Sequence, residues 1–347
     1  MSADKMKAVL FLGPKSLSFE EVNVPAIGDD EMLVKVGSAL TCGTDLKAYL
    51  RGHPLFVPPM PFGHEFAGVV ARVGKGVERF REGMRVVAAN SAPCNICFYC
   101  KRGQHNLCQN LQENMNWGAY AEYIKVPGPI VQQNTHVIPD HLSFPEAAVL
   151  EPLACVVAGN QAADIQWGDS VAILGGTGPI GLLHLQLALH RGAGQVIAIG
   201  RKSHRLEVAG QLGATHVINA TEEDVVARVK DLTGGRGADV VIESVGIPEA
   251  WQTAVDMVRK GGTVVFFGGC PSGSRVEFDT HRLHYHELTL KGVFHHTPRT
   301  VERALNLLAA GVVDAKPLIS GQLPLDQVAR GLEMMADGQC IKMAIVP

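Results

Sequence analysis

Four cysteines fall within a stretch of fifteen residues, and their spacing is typical of a metal site. Cys94, Cys97, Cys100 and Cys108 follow the pattern C-x2-C-x2-C-x7-C in a loop rich in polar residues. Four thiolates at such spacing can converge on one tetrahedral Zn²⁺ with no open position, so the site would be structural rather than catalytic. A disulfide set is the alternative, but a chain of cytosolic character favours metal for this pattern. The sequence therefore predicts a structural zinc lobe at about residues 90–110.

A second set of metal-ligating residue types is spread over the first half of the chain. It comprises Cys42, His64, Glu65 and Glu151. One thiolate, one imidazole and one or two carboxylates suit Zn²⁺, and three protein ligands leave the fourth position for water or substrate. Taken singly, such a cysteine is equally a small core residue and such a histidine an ordinary buried one. Spacing alone does not bring them together, so a catalytic zinc here is a hypothesis.

A glycine-rich turn follows the apolar run Ser170–Leu174 and precedes a helical pattern. Within it, the spacing Gly-x-Gly-x-x-Gly fits the dinucleotide-binding fingerprint, in which glycines allow a tight turn and close approach of the backbone to a pyrophosphate. The helix that follows offers free N–H groups and the positive end of its dipole to phosphates. The predicted cofactor-binding residues of the turn are Gly176, Gly178, Pro179, Ile180 and Gly181.

The next strand of this unit ends at Gly200, where a site for NAD normally carries Asp or Glu to bind the ribose hydroxyls. Arg201, Lys202 and Arg205 follow directly. A glycine leaves room for a 2′-phosphate, and guanidinium groups can bind it bidentately. A merely solvated basic turn is the alternative. The sequence favours NADP(H) as the cofactor and leaves NAD(H) open.

Two further strand ends carry small residues on the expected cofactor side of the sheet. Ligands of open α/β sheets bind outside the carboxyl ends of the strands. Backbone near Val245 and Gly268 is therefore predicted to flank the nicotinamide, although plain turn glycines would give the same pattern. Cys155, Cys270 and Cys340 are interpreted as small packing residues.

The elements that must position these residues suggest two domains, as expected for 347 residues. Short apolar runs separated by Gly and Pro predict a mostly β domain up to about residue 153. Alternating β-prone and helical patterns over residues 154–291 predict a doubly wound parallel sheet. Two helical stretches and an apolar run, Met343–Val346, close the chain. The predicted fold class is therefore α/β.

Composition narrows the function classes. The chain is 46% apolar, and 31 basic against 34 acidic residues give a net charge of −3. That balance favours neither a nucleic-acid nor a membrane partner. The first five residues, Met1–Lys5, carry charge and no apolar signal segment, and no apolar run is long enough to span a bilayer. We therefore expect a cytoplasmic enzyme with a small-molecule substrate.

In their order along the chain, these motifs resemble those of the zinc-containing medium-chain dehydrogenase/reductase superfamily, the alcohol dehydrogenases in the broad sense. The resemblance covers essentially the whole length and is nearest to the sorbitol (polyol) and threonine dehydrogenase branch. Glu151-Pro152 resembles the polyol members, since threonine members usually carry Asp-Pro there. The resemblance implies a GroES-like catalytic domain at residues 1–153 and 292–347, with an inserted Rossmann domain at 154–291. It also implies a homodimer or homotetramer.

The same resemblance implies roles for individual residues. Cys42 and His64 would bind the catalytic zinc, and Glu65 and Glu151 would supply the carboxylate contacts, one of them through water. Thr44 matches the hydroxyl that bonds the substrate oxygen and starts proton release. Two zinc ions per chain are thus expected, one catalytic and one structural.

Three departures from the family pattern limit the inference about substrate. Lys47 stands where many relatives carry a histidine that relays the proton. Either Lys47 takes over this role, or Glu151 and water carry the proton, or the lysine is a solvated surface residue. His295 and His296 lie where polyol dehydrogenases carry Arg-Tyr, so the guanidinium that would bind polyol hydroxyls is missing. The two histidines could line a substrate pocket or lie exposed at a hinge. Gly200 resembles the NADP-dependent secondary-alcohol enzymes instead.

The predicted function is reversible hydride transfer between a nicotinamide cofactor and a secondary alcohol or polyol. An NAD-dependent threonine-type or sugar-phosphate dehydrogenase is the enzymatic alternative. A non-catalytic NADP-binding sensor or scaffold on the same fold is the alternative from another class.

Overall fold

The computed structural model describes residues 4–347, so the first three residues of the predicted N-terminal domain lie outside the described part. The chain divides into two compact units. The first comprises the residues up to Ala154, His296–Gly311 and Ala315–Pro347, and the second comprises Cys155–His295 and Val312–Asp314. Residues 292–295 and 312–314, which the sequence analysis placed in the first domain, thus group with the second unit.

The first unit is mostly β-structure up to residue 154. Its strands are β1 (Lys5–Gly13), β2 (Ser16–Asn23), β3 (Met32–Leu40), β4 (Met60–Pro61), β5 (Glu65–Val73), β6 (Arg85–Ala88), β7 (Tyr123–Val126) and β8 (Thr135–Val137). Its helices are α1 (Gly43–Arg51), α2 (Phe98–Lys101), α3 (Gly128–Gln133), α4 (Phe144–Ala148) and α5 (Leu150–Ala163), with a 3₁₀ turn at His105–Leu107. The division between the units falls within α5.

The second unit alternates strands and helices. Its strands are β9 (Ser170–Leu174), β10 (Gln195–Gly200), β11 (His216–Asn219), β12 (Ala238–Glu243), β13 (Val258–Phe266) and β14 (Thr289–Gly292). Its helices are α6 (Pro179–His190), α7 (Ser203–Gln211), α8 (Val225–Leu232), α9 (Pro248–Met257) and α10 (Thr280–Tyr285).

The chain then adds the last elements, most of them to the first unit. These are α11 (Pro298–Ala309), β15 (Ile319–Pro324), α12 (Val328–Ala336) and β16 (Lys342–Val346), with 3₁₀ turns at Lys316–Leu318 and Leu325–Gln327.

Sheet pairing in the second unit confirms the predicted parallel sheet. Its strand order is β11-β10-β9-β12-β13-β14, and every pairing is parallel. After their first residues, β9 and β10 contain only apolar residues and glycine, as expected for strands covered by helices on both faces. The carboxyl ends of β9, β10 and β12 consequently lie side by side, which is where a doubly wound sheet binds its ligand.

Sheet pairing in the first unit brings distant segments of the chain together. One sheet has the order β2-β1-β4, and the other has β15-β16-β3-β5-β6-β8 with β7 also paired to β3. The C-terminal strand β16 pairs with β3 on one side, while β5 pairs with β3 on the other. Residues near the two ends of the chain therefore meet in one core.

Within residues 4–347, no helix combines the length and apolar character that crossing a bilayer requires.

Candidate active site and metal centres

Cys42 lies at the N-cap of α1, a position usually taken by Ser, Thr, Asp or Asn. Its Sγ accepts a hydrogen bond from the backbone N–H of Thr44 at 3.4 Å. The side chain is thus held at the positive end of the helix dipole, which favours a thiolate. In the protein without metal, burial and then the Glu65 carboxylate raise the pKa of the thiol. Metal binding at this sulfur must therefore displace a proton.

His64 precedes β5, and a series of hydrogen bonds between buried side chains fixes its ring. Its Nδ1 donates to Oδ1 of Asp45 at 2.9 Å, and Oδ2 of Asp45 accepts from the Tyr120 hydroxyl at 2.7 Å. Because Nδ1 is engaged, Nε2 is the nitrogen left to bind a metal, and the carboxylate makes it a better ligand. Burial lowers the pKa of His64, but Asp45 and Cys42 outweigh burial and hold it well above its ordinary value.

Gly63 makes this position of His64 possible. Its φ is +84°, and a Cβ there would lie 2.7 Å from the ring of Tyr120. The tyrosine ring therefore packs directly against the backbone that carries the ligand.

Glu65 is the first residue of β5 and is fully buried. Both of its carboxylate oxygens accept from Nζ of Lys342, at 2.9 and 2.6 Å, and the same ammonium donates to the backbone oxygen of Thr41 at 2.7 Å. Burial lowers the pKa of Lys342, but Glu65 and then Cys42 raise it above its ordinary value. The ammonium therefore stays charged, and it ties the carboxylate to the residue that precedes Cys42.

Ligand atoms of Cys42, His64 and Glu65 all lie within 4.8 Å of one another. Their donor set of one sulfur, one nitrogen and one oxygen suits Zn²⁺ with an open fourth position. The residues present thus fit a catalytic zinc, and the buried aspartate and lysine behind them act as orienting partners of the ligands.

Glu151 lies at the start of α5 and is 7% exposed. Its carboxylate does not belong to the group of three, but His64 and Glu65 are close enough to act on it electrostatically. Burial, only partly offset by His64, raises its pKa to about 7. His296 lies beside it, with Nε2 3.9 Å from the carboxylate and 3.1 Å from Oδ1 of Asn90.

The two adjacent histidines of the sequence are assigned to different units of the chain. His296 is 3% exposed and packs in the first unit, whereas His295 belongs to the second unit and has a φ of +61°. The sequence left open whether these histidines line a pocket or lie exposed at a hinge. His296 is buried, so it is not an exposed hinge residue.

Thr44 and Lys47 both lie on α1. The hydroxyl-bearing residue follows Cys42 by two positions and is half-buried. The lysine is also half-buried and lies near His53, whose pKa is lowered first by burial and then by that ammonium group.

The four-cysteine lobe has its ligand atoms within 4.8 Å of one another, as a common metal requires. No disulfide links any cysteine among residues 4–347, so the disulfide alternative is not realised. Backbone N–H groups of Cys100 and Gln109 lower the pKa of Cys97 to about 6, while burial raises that of Cys100 to about 12. The lobe also receives a hydrogen bond from the Cys94 N–H to Sγ of Cys108 at 3.3 Å. The residues present fit a closed structural zinc site.

The glycine-rich turn joins β9 to α6, as the fingerprint requires. A Cβ on Gly176 would lie 2.8 Å from the Ile173 oxygen, and one on Gly181 would lie 2.2 Å from the Gly175 oxygen. These two glycines are needed by the packing of the turn itself. Gly178, the N-cap of α6, has nothing nearer than 3.5 Å around such a Cβ, so the chain alone does not require glycine there. A bound pyrophosphate would account for it, and the turn therefore fits a dinucleotide.

The remaining cofactor candidates lie at neighbouring strand ends. Gly200 ends β10, and the two basic residues after it, Arg201 and Lys202, are exposed. Arg205 lies in the first turn of α7, and this first turn contains no acidic residue. Val245 follows β12, and its N–H donates to Oε1 of Glu243 at 2.7 Å.

Gly268 packs against this loop. A Cβ on Gly268 would lie 2.4 Å from the nitrogen of Gly246, so backbone packing alone explains that glycine.

Comparison with known proteins also points to a zinc-binding dehydrogenase, and the matches cover nearly all of the chain. The sequence matches the family "Alcohol dehydrogenase GroES-like domain" over residues 28–140 and the family "Zinc-binding dehydrogenase" over residues 179–310. Sorbitol dehydrogenase of Bacillus subtilis strain 168 is 35% identical over 350 residues, covering 99% of this chain and 97% of that protein. The chain belongs to the zinc-containing medium-chain dehydrogenase/reductase superfamily.

Two further relatives extend this result. L-threonine 3-dehydrogenase of Bacillus licheniformis is also 35% identical, with 96% of both chains covered. A zinc-binding dehydrogenase of Sinorhizobium meliloti 1021, solved bound to NADP, has a TM-score of 0.91 at 34% identity and covers 99% of this chain and 100% of its own. This member of the superfamily is therefore a zinc-dependent oxidoreductase acting on a CH–OH group, with a GroES-like and a Rossmann unit, as the sequence predicted.

Sequence reasoning missed three residues that build the dehydrogenase site. The sequence did not single out Asp45, Tyr120 or Lys342. Lys342 did carry a signal: it is the one charged residue in the otherwise apolar run from 340 to 346. A charge in such a strand is buried only with a partner, so it pointed to an acidic residue in the core. Tyr120 carried no local signal.

Proposed function

We propose that this protein catalyses the reversible, NADP(H)-dependent oxidation of a secondary alcohol or polyol to a ketone at a zinc ion bound by Cys42, His64 and Glu65. The observation that carries the proposal is the cluster of three metal-ligating side chains, of which His64 and Glu65 are buried and Cys42 is half-buried. Each of the three is hydrogen-bonded to its own partner, which is the Thr44 N–H for Cys42, Asp45 for His64 and Lys342 for Glu65. A second zinc would bind the four-cysteine lobe and serve stability. The cytoplasmic location and the dimeric or tetrameric state expected from the sequence remain predictions.

The distances between ligand atoms support Glu65 as the third ligand. Glu65 lies with Cys42 and His64 inside 4.8 Å, whereas Glu151 does not. A carboxylate has about four lone-pair sites, so Glu65 can accept from Lys342 and still bind a metal. Glu151 is then the buried carboxylate beside the site, reaching the metal through water.

Zinc at this position would polarise the alcohol oxygen as a Lewis acid, and NADP⁺ would accept the hydride. The protein's residues hold the reacting groups. Thr44 presents its hydroxyl to the substrate oxygen, takes the alcohol proton and at the same time passes its own proton on, either to Lys47 or to Glu151 through water. Glu151 and His296 border the space beside the ligands with one carboxylate and one imidazole, groups that can bind substrate hydroxyls.

The preference for NADP(H) is supported by the absence of an acidic side chain at position 200 and by the basic residues that follow. Arg201 and Arg205 can bind a 2′-phosphate, and no carboxylate in the first turn of α7 opposes it. The structural relative from S. meliloti, which was solved with NADP, supports the same choice.

Thr44 provides the first test. In Thr44→Val the hydroxyl is replaced by a methyl group of the same shape, and we expect kcat to fall by about 10²-fold or more because general acid–base help of this kind contributes about 10²–10⁴. Zinc content should stay at two ions per chain. Unaltered turnover in this variant would refute the role.

A substrate and cofactor panel tests the function as a whole. Polyols, secondary alcohols and amino acids are each assayed with NAD⁺ and with NADP⁺, and metal is measured on the same sample. Turnover of secondary alcohols or polyols with NADP⁺ and two zinc ions supports the proposal. One zinc ion and no hydride transfer would support the non-catalytic NADP-binding alternative.

The threonine-type alternative retains one specific observation, since a threonine dehydrogenase matches at the same identity as sorbitol dehydrogenase. Turnover of threonine with NAD⁺, and none of polyols, would select it. A sugar-phosphate dehydrogenase would be revealed by adding phosphorylated polyols to the panel.

A further inference from the structure

Glu243 is the last residue of β12, at the carboxyl edge of the parallel sheet, and its side chain is fully buried. One carboxylate oxygen, Oε1, accepts from the backbone N–H groups of Val245 at 2.7 Å and Gly246 at 2.8 Å. Both N–H groups belong to the loop that follows the strand, residues 244–246, which we call the first loop. Because a buried charged group must be hydrogen-bonded, the carboxylate and this loop hold each other in place.

The backbone of Glu243 holds a second loop, residues 267–269, which follows β13. Its oxygen accepts from the N–H groups of Phe267 and Gly268, both at 2.9 Å. The two loops also pack directly on each other. A Cβ on Gly246 would lie 2.6 Å from a backbone oxygen of the second loop, and a Cβ on Gly268 would lie 2.9 Å from Oε2 of Glu243. One buried residue therefore joins both loops.

The indole of Trp251 supports the second loop from the side of α9. Its Nε1 donates to the Gly268 oxygen at 3.0 Å, and its ring stacks on Phe266 with the centroids 4.0 Å apart. The second loop is thus held by a side chain of its own, whereas the N–H groups of the first loop depend on the Glu243 carboxylate.

We propose that Glu243 is a positioning residue of the nicotinamide subsite, a role that rests on the proposed cofactor site and deepens it. Its carboxylate acts through hydrogen bonds rather than through its charge, and it fixes the first loop against the second. Val245 and Gly268 are the predicted neighbours of the nicotinamide, and they lie on these two loops. Backbone N–H and C=O groups commonly orient the polar parts of a ligand, and the nicotinamide carboxamide is such a part.

The phosphate end of the cofactor should not depend on Glu243. The glycine-rich turn is held by bonds of its own, from the Gly176 N–H to the oxygens of Ile173 at 3.1 Å and Ile199 at 2.9 Å. Loss of the Glu243 carboxylate should therefore weaken contacts to the nicotinamide and spare those to the rest of the cofactor. A residue that only stabilised the unit as a whole would affect both ends.

Three substitutions separate the hydrogen bonds of Glu243 from its charge. Glu243→Gln keeps an oxygen at the same reach and loses the charge. Glu243→Asp keeps the charge but is one methylene shorter, and Glu243→Met removes both at similar size. Glu249→Met is the matched control, because this glutamate lies in the first turn of α9 and is exposed.

Dissociation constants are measured by titration calorimetry on the zinc-loaded protein without substrate. The ligands are NADPH and 2′-phospho-ADP-ribose, which is the same molecule without its nicotinamide. The ratio of the two constants reports the contribution of the nicotinamide end to binding. NADH and ADP-ribose form a second pair, so that the choice of cofactor is judged separately.

Wild-type protein should bind NADPH at least about tenfold more tightly than 2′-phospho-ADP-ribose, the effect of one or two hydrogen bonds. In Glu243→Met and Glu243→Asp the two ligands should bind within about twofold of each other, with the affinity for 2′-phospho-ADP-ribose close to that of wild type. Glu243→Gln and Glu249→Met should keep the wild-type ratio within about threefold.

Equal weakening of both ligands in Glu243→Met would overturn the proposal, since the residue would then support the unit as a whole. A higher ratio in Glu243→Asp than in Glu243→Gln would overturn it too, because charge rather than reach would then matter. So would a wild-type protein that binds NADPH and 2′-phospho-ADP-ribose equally. Circular dichroism and zinc content establish folding, and if Glu243→Met fails to fold, the comparison of Glu243→Gln with Glu243→Asp decides.

Failure of the proposed cofactor gives a different result. A wild-type protein that binds NADH and not NADPH contradicts the NADP(H) preference, and the ratio measured with NADH and ADP-ribose then decides the role of Glu243. Absence of binding to all four molecules overturns both the proposed function and this role.

Discussion

The two proposed metal sites of the first unit differ in how the chain assembles them. The four-cysteine lobe takes all its ligands from residues 94–108, and backbone N–H groups adjust the pKa of its surface thiol Cys97. The catalytic cluster draws its donors from residues 42–65 and its orienting partners from as far as Lys342. In the lobe, local geometry is enough to place the ligands. In the catalytic cluster, buried side chains do that work, so changes there should affect chemistry and metal affinity.

The largest expected difference comes from the same substitution at one ligand of each site. Cys42→Ser should lower kcat/KM by at least about 10³-fold, since a Lewis-acid metal supplies several kcal/mol of transition-state stabilisation. Cys97→Ser should leave the specific activity of the folded fraction within a few-fold of wild type but lower its thermal stability. Each variant should retain one zinc ion by elemental analysis.

The comparison fails if the two variants exchange these outcomes. A folded Cys97→Ser protein with intact thermal stability and no activity would show that the lobe takes part in chemistry. Wild-type activity in Cys42→Ser would remove Cys42 from the catalytic zinc.

The second prediction concerns Lys342, which is 1% exposed and bound to the fully buried Glu65. Lys342→Met should lower the free energy of unfolding by about 3–5 kcal/mol, because both oxygens of the buried Glu65 carboxylate lose the ammonium group that donates to them. Urea denaturation of the zinc-loaded protein measures this effect. Lys316→Met is the matched control: its side chain is 77% exposed and its ion pair with Glu146 is 3.9 Å long, so a loss below about 1 kcal/mol is expected. Equal losses in the two variants would contradict the buried clamp.

This contrast also explains how much of the molecule the sequence could predict. The lobe, the glycine turn and the parallel sheet depend on neighbours in the chain, and their spacing and periodicity are visible in the sequence. Ser170–Leu174 was predicted with the bounds that β9 has. The family pattern named Cys42 and His64 as metal ligands and left Glu65 and Glu151 as the carboxylate contacts, one of them through water. Which of these residues meet is a question of tertiary structure.

Contacts between distant strands could not be read from the sequence. Tyr120 reaches Asp45 across 75 residues, and Lys342 reaches Glu65 across 277. Strand β15 was missed because its side chains alternate between partly buried and exposed, and its run Ile-Ser-Gly-Gln-Leu-Pro is weakly apolar.

The third prediction tests the orienting partner of the histidine. In Asp45→Asn the oxygen that accepts from His64 can be kept while the charge is lost, so the zinc affinity of the catalytic site should fall about 10–100-fold. Competition with a chelator measures it, and zinc in the lobe serves as the internal control because none of its ligands contacts Asp45. Equal release from both sites would mean that the aspartate acts on the fold as a whole.

The smallest effect on zinc affinity is expected at Tyr120, which contacts Asp45 and does not bind the metal itself. Tyr120→Phe keeps the ring that packs on Gly63 and removes only the hydroxyl that donates to Asp45, so zinc affinity should fall by less than about tenfold, near 1 kcal/mol. Because the hydroxyl acts on His64 only through the carboxylate, the two changes should not add. In the Asp45→Asn background, Tyr120→Phe should alter affinity by well under the loss it causes alone. Strict additivity of the two losses would show that Tyr120 affects the zinc site by a route other than Asp45. In that case the packing around the cluster, rather than the hydrogen bonds from Tyr120 through Asp45 to His64, would be the main influence on the position of the ligands.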